Sequence, residues 1–342
     1  MGYGSKIVVT IAIGLQLLGG AQAQDLHFSQ FFNSPLTTNP ANTGFMPDVD
    51  YRLGAHFRNQ WSSILAAPYQ TLSIFADGQA FRNRFDNGWL GLGAVVLSDK
   101  AGSGSLQSTK IYGSLAYHQM LGYNSLLSAG FNLGWVNKRI DPSKLTFPDQ
   151  FNGVFFDPSL GTGVVFANNS VSYFDMQVGV NYAYFPTDDL YINGGYSIHH
   201  VNRPRETFFS ETSDSSRISM RHIGFVNALY KLNDRVILNP NAYFTTQAQS
   251  AAFMLGLNAN YNLSGDGDKQ LIAGLYYRNG DALIPMVGFE IKKIRFTFSY
   301  DATTSALGNF NNMQGAQEFN LIKQGFYNQS NGSARQVVCP RF

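Results

Sequence analysis

The chain has 342 residues, of which 13% are charged and 14% aromatic, and its formal net charge is +2. Soluble domains usually carry about 25% charged residues, so a soluble fold of this size would lack well-solvated side chains for its surface. The near-neutral charge and the absence of a basic block argue against nucleic acid as a partner. The single cysteine, Cys339, excludes a disulfide bond within the chain.

The first 23 residues have the pattern of a secretory signal peptide. Lys6 supplies the positive charge, residues 7–18 form an apolar core, and Ala21-Gln22-Ala23 matches a cleavage site. The core is too short to cross a bilayer as a helix, which takes about 20 residues. We therefore predict an exported protein whose mature chain starts at Gln24.

Residues 24–50 differ from the rest of the chain. They are rich in Asn, Pro and Phe and show little alternation of polar and apolar side chains. Two interpretations stay open: this segment plugs a lumen, or it lies in the periplasm.

Most of the remaining sequence repeats with a period of two. Residues 127–135 (LSAGFNLGW) place apolar side chains at odd positions and Ser, Gly or Asn at even ones. Because a strand sends successive side chains to opposite faces, this segment has one apolar and one polar face. Similar segments recur along the chain, most of them close to the 9–11 residues, roughly, of a tilted transmembrane strand.

Fourteen such strands can be counted, an even number as in bacterial single-chain barrels. They are predicted at 51–60, 69–77, 89–98, 108–118, 126–138, 171–184, 190–200, 217–230, 235–246, 251–261, 269–278, 282–291, 292–301 and 316–323. We predict an all-β fold: a transmembrane antiparallel β-barrel over residues 51–323, followed by a polar tail at 324–342. A soluble β-sandwich would also alternate, but low charge and high aromatic content favour the membrane. Because proline removes a ladder donor, Pro240 predicts a bulge or distortion.

The lengths of the connections give the barrel a direction. If the first strand runs outward, the longer connections become outer loops and both termini lie in the periplasm. The predicted outer loops are 61–68, 99–107, 139–170, 201–216, 247–250, 279–281 and 302–315. The predicted inner turns are shorter on the whole, and they include residues 78–88.

Charged residues within the strands are expected to face the lumen, because lipid would not solvate them. These residues are Arg52, Arg58, Asp77, Lys110 and Asp175. They form either a packed network of opposite charges that closes the pore or the charged walls of a conducting channel.

Three outer segments are candidates for binding a partner. Loop 139–170 is long, as functional loops often are, and its aromatic side chains are either interface anchors or fold inward to cap the lumen. A second segment combines arginines with phenylalanines, and a third is a charged, glycine-rich turn that is either simply solvated or receives a partner. The candidate residues are Phe147, Phe151, Phe155, Phe156, Arg203, Arg205, Phe208, Asp99 and Lys100.

No pattern in the sequence predicts catalysis, a cofactor or a metal site. The chain contains no Gly-x-Ser-x-Gly nucleophile elbow. His199 and His200 are the one adjacent histidine pair, but neighbouring strand residues point to opposite faces and would need a break in the strand to share a metal.

A more specific signal lies in the N-terminal third. It consists of residues 27–36 (HFSQFFNSPL), 39–44 (NPANTG), 51–61 (YRLGAHFRNQW) and 69–73 (YQTLS). Weaker blocks follow at 90–93, 98–102, 117–118, 141–150 and 339–342. In these blocks the chain closely resembles the PorP/SprF family of outer-membrane proteins of the type IX secretion system.

The resemblance implies a non-enzymatic component of the envelope of Bacteroidota, located in the outer membrane. Members of one kind join the secretion and gliding machinery, with periplasmic ring and lipoprotein components as partners. Members of another kind anchor a secreted adhesin at the cell surface by docking its C-terminal sorting domain, and we favour this role. A passive or ligand-specific outer-membrane channel is the alternative from a different class.

Overall fold

The computed structural model describes residues 28–46, 49–85, 87–102, 105–145, 147–157, 159–210, 216–265 and 267–327. The predicted signal peptide, the mature start at Gln24 and most of the predicted tail, with Cys339, lie outside these residues. Within the described ranges, the structure has no helix that is both long and apolar enough to cross a membrane.

Fourteen antiparallel strands close into one barrel, which confirms the predicted fold class. Each strand pairs with its neighbours in sequence, and the first pairs with the last, with Tyr51 opposite Gly325 and Gln60 opposite Ala316. The strands are β1 (Tyr51–Gln60), β2 (Tyr69–Phe85), β3 (Gly88–Ala101), β4 (Leu106–Met120), β5 (Ser125–Arg139), β6 (Ser170–Thr187), β7 (Leu190–His199), β8 (Arg221–Lys231), β9 (Val236–Gln247), β10 (Ser250–Asn262), β11 (Lys269–Arg278), β12 (Ala282–Ile291), β13 (Ile294–Thr303) and β14 (Gln314–Gly325).

The helices are single turns. Two α-helical turns, α1 (Pro35–Thr38) and α2 (Gly308–Asn311), lie before β1 and between β13 and β14. Short 3-10 turns cover Phe31–Asn33, Pro40–Asn42, Pro142–Lys144 and Pro148–Gln150. Three of these six turns precede the barrel in a stretch of 12 residues, from Phe31 to Asn42, so that stretch is compact without being strand.

Several strands extend further than predicted. β2 has 17 residues and ends at Phe85, so residues 78–85 are strand and the predicted inner turn there is wrong. β3 and β4 pair as far as Ala101 opposite Leu106, which shortens the predicted loop 99–107 to residues 102–105. These strands continue past the length that is needed to cross the lipid, because each further residue pair in a ladder satisfies backbone N–H and C=O groups. In contrast, β8 begins at Arg221, four residues after its predicted start.

Pro240 interrupts the β8–β9 ladder without a bulge, so of the predicted bulge or distortion the structure shows a local distortion. Asn227 lies opposite Asn241 and Tyr230 opposite Leu238, which is one unbroken register with residues 228–229 left unpaired. On the other side of β9, Leu257 of β10 pairs with Pro240 in a continuous ladder. The missing N–H of proline therefore removes pairing on one side of β9 and leaves the register unchanged.

The two faces of the barrel wall differ as the alternation predicts. On β2, Leu72 and Ile74 are exposed on the outer face, whereas Thr71, Ser73 and Asp77 are buried in the lumen. The outer face therefore carries large apolar side chains of the kind that hydrocarbon solvates, as in membrane barrels.

The two ends of the barrel also differ. At one end, here called the turn end, β1 begins, β14 ends and the connections are short. Lys292 and Lys293 form the two-residue turn between β12 and β13 with φ of 48° and 62°, the left-handed backbone that such hairpins need. The opposite end, here called the long-loop end, carries the connections of residues 140–169 and 200–220.

Residues 28–46, here called the lumen segment, run through the inside of the barrel. Ser29 binds Asp301 of β13 near the long-loop end, and Gly44 donates its backbone N–H to Asp77 of β2. The chain then reaches Asp50 at the turn end, where its N–H bonds to Gly325 O. The first strand thus begins, and the last strand ends, at the turn end. Phe28 lies in the half of the barrel nearer the long-loop end.

Candidate functional site

A row of glycines on the lumen face makes room for the lumen segment. A Cβ at Gly130 would lie 2.5 Å from Pro40 O, and a Cβ at Gly179 or Gly91 would overlap Asn39 or the Thr43 carbonyl. Real Cβ atoms essentially never approach heavy atoms within 3.0 Å, so these positions accept hydrogen alone. We call this row the glycine shelf: Gly91 on β3, Gly130 on β5, Gly179 on β6 and Gly195 on β7.

Asn39 fixes the segment on the glycine shelf. Its amide Nδ2 donates to Val180 O at 2.9 Å, and its Oδ1 accepts the Ala41 N–H at 2.9 Å. Next to it, Ser197 Oγ donates to Thr38 O at 2.8 Å. These bonds tie the Asn-Pro-Ala motif to β6 and β7, which explains the residue types at 39–41.

Glu318 on β14 holds the first described residues. Its two carboxylate oxygens accept the backbone N–H of Ser29 at 2.7 Å and of Gln30 at 2.9 Å. His56 Nε2 lies 3.1 Å from Oε2, and Arg58 donates to Oε1. A buried carboxylate with four such partners binds the segment directly to β1 and β14.

Asp301 extends this group across β11, β13 and β1. It pairs with Arg58 Nη2 at 3.0 Å and with Arg278 Nη2, and Ser29 Oγ donates to it at 2.9 Å. We call Arg58, Arg278, Asp301 and Glu318 the charged clamp. Both acids and both arginines are almost fully buried, and each charge has an opposite charge beside it, which offsets the cost of desolvation.

All five charged residues predicted for the lumen point inward. Arg58 belongs to the charged clamp, and Arg52 Nη2 pairs with Asp77 Oδ2 at 2.7 Å. Asp175 accepts the Tyr112 hydroxyl at 2.6 Å and lies 2.8 Å from His200 Nδ1. Lys110 is buried on the same face.

Sequence reasoning missed His56, Arg278, Asp301 and Glu318, which hold the segment most directly. Each occupies a lumen-facing position that strand alternation alone assigns. Glu318, for example, shares its parity with Asn320 and Ala316, which are also buried. Strand alternation therefore predicts the direction of each of these side chains. It does not predict that the four side chains meet, because that depends on how strands distant in sequence are paired.

The opposite side of the lumen is closed by apolar packing. Inward side chains of β8 to β12 form a buried cluster against Phe31, consisting of Ile223, Phe225, Tyr243, Met254, Ile272, Tyr276, Ala282, Ile284 and Met286. Beside it a cavity of about 40 Å³ remains near Phe28, and a larger one of about 320 Å³ lies at the turn end. This packing favours the closed-pore interpretation of the charged lumen residues.

Ser34, His56 and Glu318 are arranged like a hydrolytic triad. Ser34 Oγ lies 2.7 Å from His56 Nδ1, and His56 Nε2 lies 3.1 Å from Glu318 Oε2. A nucleophile needs access to substrate, but Ser34 is 1% exposed and lines neither of the two cavities. The carboxylate also binds Arg58 and two backbone N–H groups. The arrangement therefore links the lumen segment to β1 and β14.

The histidine pair lies at a break in the strand. β7 ends at His199, and His200 has φ of 58°, so both side chains are buried instead of pointing to opposite faces. The expectation from strict alternation is wrong at this position. Among the described residues there is no group of three or more His, Cys, Asp or Glu that could hold a metal ion.

The two long connections form one surface at the long-loop end. Ala167 N donates to Phe208 O at 2.9 Å, and the Phe166 and Phe209 rings stack with centroids 5.3 Å apart. Lys138, at the end of β5, pairs with Glu206 at 2.6 Å. We call the described residues of 140–169 and 200–210 the long-loop platform.

A hairpin within the platform carries exposed apolar side chains. Phe151 and Phe156 form an isolated antiparallel bridge with ring centroids 5.2 Å apart. Phe151, Phe155 and Phe156 are 48%, 59% and 52% exposed, and Val154 between them is 84% exposed. These side chains do not cap the lumen.

Another acidic residue holds the neighbouring loop in shape. Asp149 accepts the Gly163 N–H at 2.6 Å and the Thr162 hydroxyl at 2.9 Å. The Gly163 bond, together with the Thr162 hydroxyl, holds the pKa of the Asp149 carboxyl below its ordinary value. The hydrogen bonds of the Asp149 carboxylate therefore close the loop that is next to the hairpin.

The other predicted partner-binding residues differ in exposure. Phe147 and Phe208 are half-buried between the two connections, whereas Arg203 and Arg205 are exposed. Asp99 and Lys100 belong to β3 and pair with Ser108 and Gln107, so their predicted place in a loop is wrong. Asp99 accepts the Thr71 hydroxyl at 2.6 Å, while Lys100 is exposed at the rim.

Comparison of the fold with solved structures finds other outer-membrane barrels. The Ralstonia pickettii toluene transporter TbuX matches with a TM-score of 0.51 and 11% identity over 90% of this chain and 96% of that one. The P. putida toluene transporter TodX (0.50; 12%; 86% and 94%) and a Pseudomonas aeruginosa FadL homologue (0.50; 11%; 83% and 91%) match similarly. At such identities the likeness concerns the fold alone.

Comparison of the sequence is more specific. No curated protein matches the chain. The model of the family described as "Type IX secretion system membrane protein PorP/SprF" matches residues 20–322, which include the lumen segment and all but the last three residues of the barrel. The chain therefore belongs to the PorP/SprF family of type IX secretion system membrane proteins.

Proposed function

We propose that this protein is a closed outer-membrane scaffold that anchors a secreted surface protein, an adhesin, by docking its C-terminal sorting domain on the long-loop platform. It is exported with a cleavable signal peptide, and its long-loop end faces outward. The observation that carries the proposal is the pairing of a filled lumen with an exposed aromatic surface at one end of the barrel.

The filled lumen supports a scaffold over a conduit. The lumen segment, the charged clamp and the apolar cluster of β8 to β12 occupy the space that a channel would keep open. A family member whose barrel is filled in this way acts through its surface.

The long-loop platform supports docking of a protein. Aromatic side chains are enriched at the anchors of protein interfaces, and Phe151, Phe155 and Phe156 expose about half of their area. Arg203 and Arg205 add exposed guanidinium groups, which suit hydrogen bonds to a partner's carboxylates. A sorting domain held on this surface would remain outside the barrel.

Affinity purification from native outer membranes tests the proposal. The tagged wild type should recover one large surface protein in about equal amount. The double variant Phe151→Ser/Phe155→Ser should lose it, because removing two interface anchors costs about 2 kcal/mol or more each. The matched control is Phe310→Ser/Met313→Ser, which changes two side chains that are 81% and 53% exposed outside the platform.

Two results would contradict the proposal. Recovery of periplasmic ring and lipoprotein components without a surface protein would identify a component of the secretion and gliding machinery instead. Equal recovery of the surface protein by wild type and by the Phe151→Ser/Phe155→Ser variant would move docking away from the platform.

A further inference from the structure

The turn end of the barrel contains a cavity that the proposed function does not use. It has a volume of about 320 Å³, within the range of roughly 300–1,000 Å³ that is usual for ligand pockets. Its floor is Phe31 and Phe32 of the lumen segment, and Lys293 of the β12–β13 turn stands at its rim. We call it the turn-end cavity.

The walls of the turn-end cavity combine aromatic rings with neutral amides. Asn193, Asn227, Asn239 and Asn260 come from four successive strands. Asn193 lies directly opposite Asn227 on the neighbouring strand, and Asn239 and Asn260 continue the polar wall on β9 and β10. Phe225 and Phe45 add further rings to the wall.

The charged groups at the cavity already have partners. Arg295 Nε donates to Glu290 at 2.7 Å, and Arg52 pairs with Asp77. The Lys293 ammonium lies 5.4 Å from the centroid of the Phe326 ring. The cavity therefore offers no concentrated charge for an ionic ligand, and its many amides make it a poor site for a plain hydrocarbon or an acyl chain.

We propose that the turn-end cavity binds a neutral sugar. A pyranose ring presents C–H groups on its faces, which pack on aromatic rings such as Phe31 and Phe32. Its equatorial hydroxyls and N-acetyl N–H groups can donate hydrogen bonds to the side-chain oxygens of asparagine. Uncharged amides and aromatic rings in one cavity are the combination that this class of ligand needs.

Calorimetric titration of the purified full-length barrel with N,N′-diacetylchitobiose, a neutral disaccharide, tests the proposal. The detergent is lauryldimethylamine oxide, because a maltoside headgroup would itself compete as a sugar. We expect saturable binding with a Kd of about 1 mM or tighter, equivalent to roughly −4 kcal/mol. Asn239→Leu should weaken it by about tenfold or more, since one lost hydrogen bond is worth about 1.4 kcal/mol at a buried site.

Asn59→Leu is the matched control, because Asn59 is an asparagine of β1 that does not line the cavity, and binding should be unchanged. If Asn239→Leu does not fold, Asn193→Leu takes its place at the same wall. No saturation up to about 20 mM, a range that covers interactions as weak as roughly −2 kcal/mol, would overturn the proposal. So would equal affinity in the wild type and the cavity variant, or binding of the tripeptide Gly-Phe-Gly in place of the disaccharide.

Discussion

Replacing Gly130 by alanine should displace the lumen segment while leaving the barrel closed. Gly130 belongs to the glycine shelf, and its new Cβ would lie 2.5 Å from Pro40 O and nearer still to Pro40 C and Ala41 N. Because these are backbone atoms, no side-chain rotation relieves the overlap. The segment must retreat by at least 0.6 Å for its nearest atoms to reach the 3.0 Å limit that real Cβ contacts observe.

The expected cost follows from the bonds that this retreat breaks. Overpacking a filled interior by one methyl group costs about 1–3 kcal/mol. The Asn39 bond to Val180 O, 2.9 Å, joins the segment to β6 next to the overlap and contributes about 1 kcal/mol. We therefore expect the segment to be held less tightly by about 2–4 kcal/mol, which corresponds to a 30- to 900-fold, roughly, larger population of the displaced state.

Chymotrypsin digestion in detergent, read by mass spectrometry, measures this population, because Phe31, Phe32 and Phe45 are cleavage sites inside the lumen segment. Gly130→Ala should be cut there faster than the wild type, while heat-modifiable migration on gels shows that the barrel is intact. Gly224→Ala is the matched control, since its Cβ would meet nothing within 4 Å. Wild-type protection of the segment in Gly130→Ala would refute the glycine-shelf account.

Three further predictions concern single side chains. Glu318→Gln should lower the thermal midpoint of the barrel, because Arg58 then keeps Asp301 as its one acidic partner in the charged clamp. The expected loss in free energy of unfolding is about 3 kcal/mol. An unchanged thermal midpoint would contradict the role given to the charged clamp. A fluorophosphonate probe should not label Ser34, and labelling that Ser34→Ala abolishes would show an accessible nucleophile. The Asp149 carboxyl has its pKa depressed below its ordinary 3.8 by the Gly163 N–H, so the stabilisation that this bond gives the loop is present above that pH and lost as the pH falls through the folded value. The protection factor of the Gly163 amide should therefore fall at low pH and in Asp149→Asn at pH 7, and a protection factor that does not change with pH would contradict it.

Strand alternation was sufficient to predict the architecture because the bilayer imposes it locally. Most of the 14 strands were found from residues such as Leu72, Ser73 and Ile74, whose faces do not depend on distant contacts, whereas the strands predicted at 217–230 and 235–246 alternate poorly. Strand ends were less predictable: β2 runs to Phe85 because its pairing with β3 shifts register after Ala80 and resumes with Phe85 opposite Gly88. Pro240 illustrates the same limit, since its effect depends on which neighbour would have received its N–H.

The site was predicted in outline and not in its connections. The sequence placed Arg52, Arg58, Asp77, Lys110 and Asp175 in the lumen, because charge and parity are local properties. It left the role of residues 24–50 open, since the fit of Asn39 against Gly179 joins positions 140 residues apart. The left-handed backbone of His200 was equally hidden, because histidine carries no signal for such a conformation.

Conductance across a planar bilayer tests most directly the claim that the lumen segment fills the barrel. The purified wild type should give no steady current, whereas a variant that lacks residues 28–46 should give stable, stepwise conductance through the emptied lumen. Large steady currents from the wild type would contradict the closed scaffold and favour a channel.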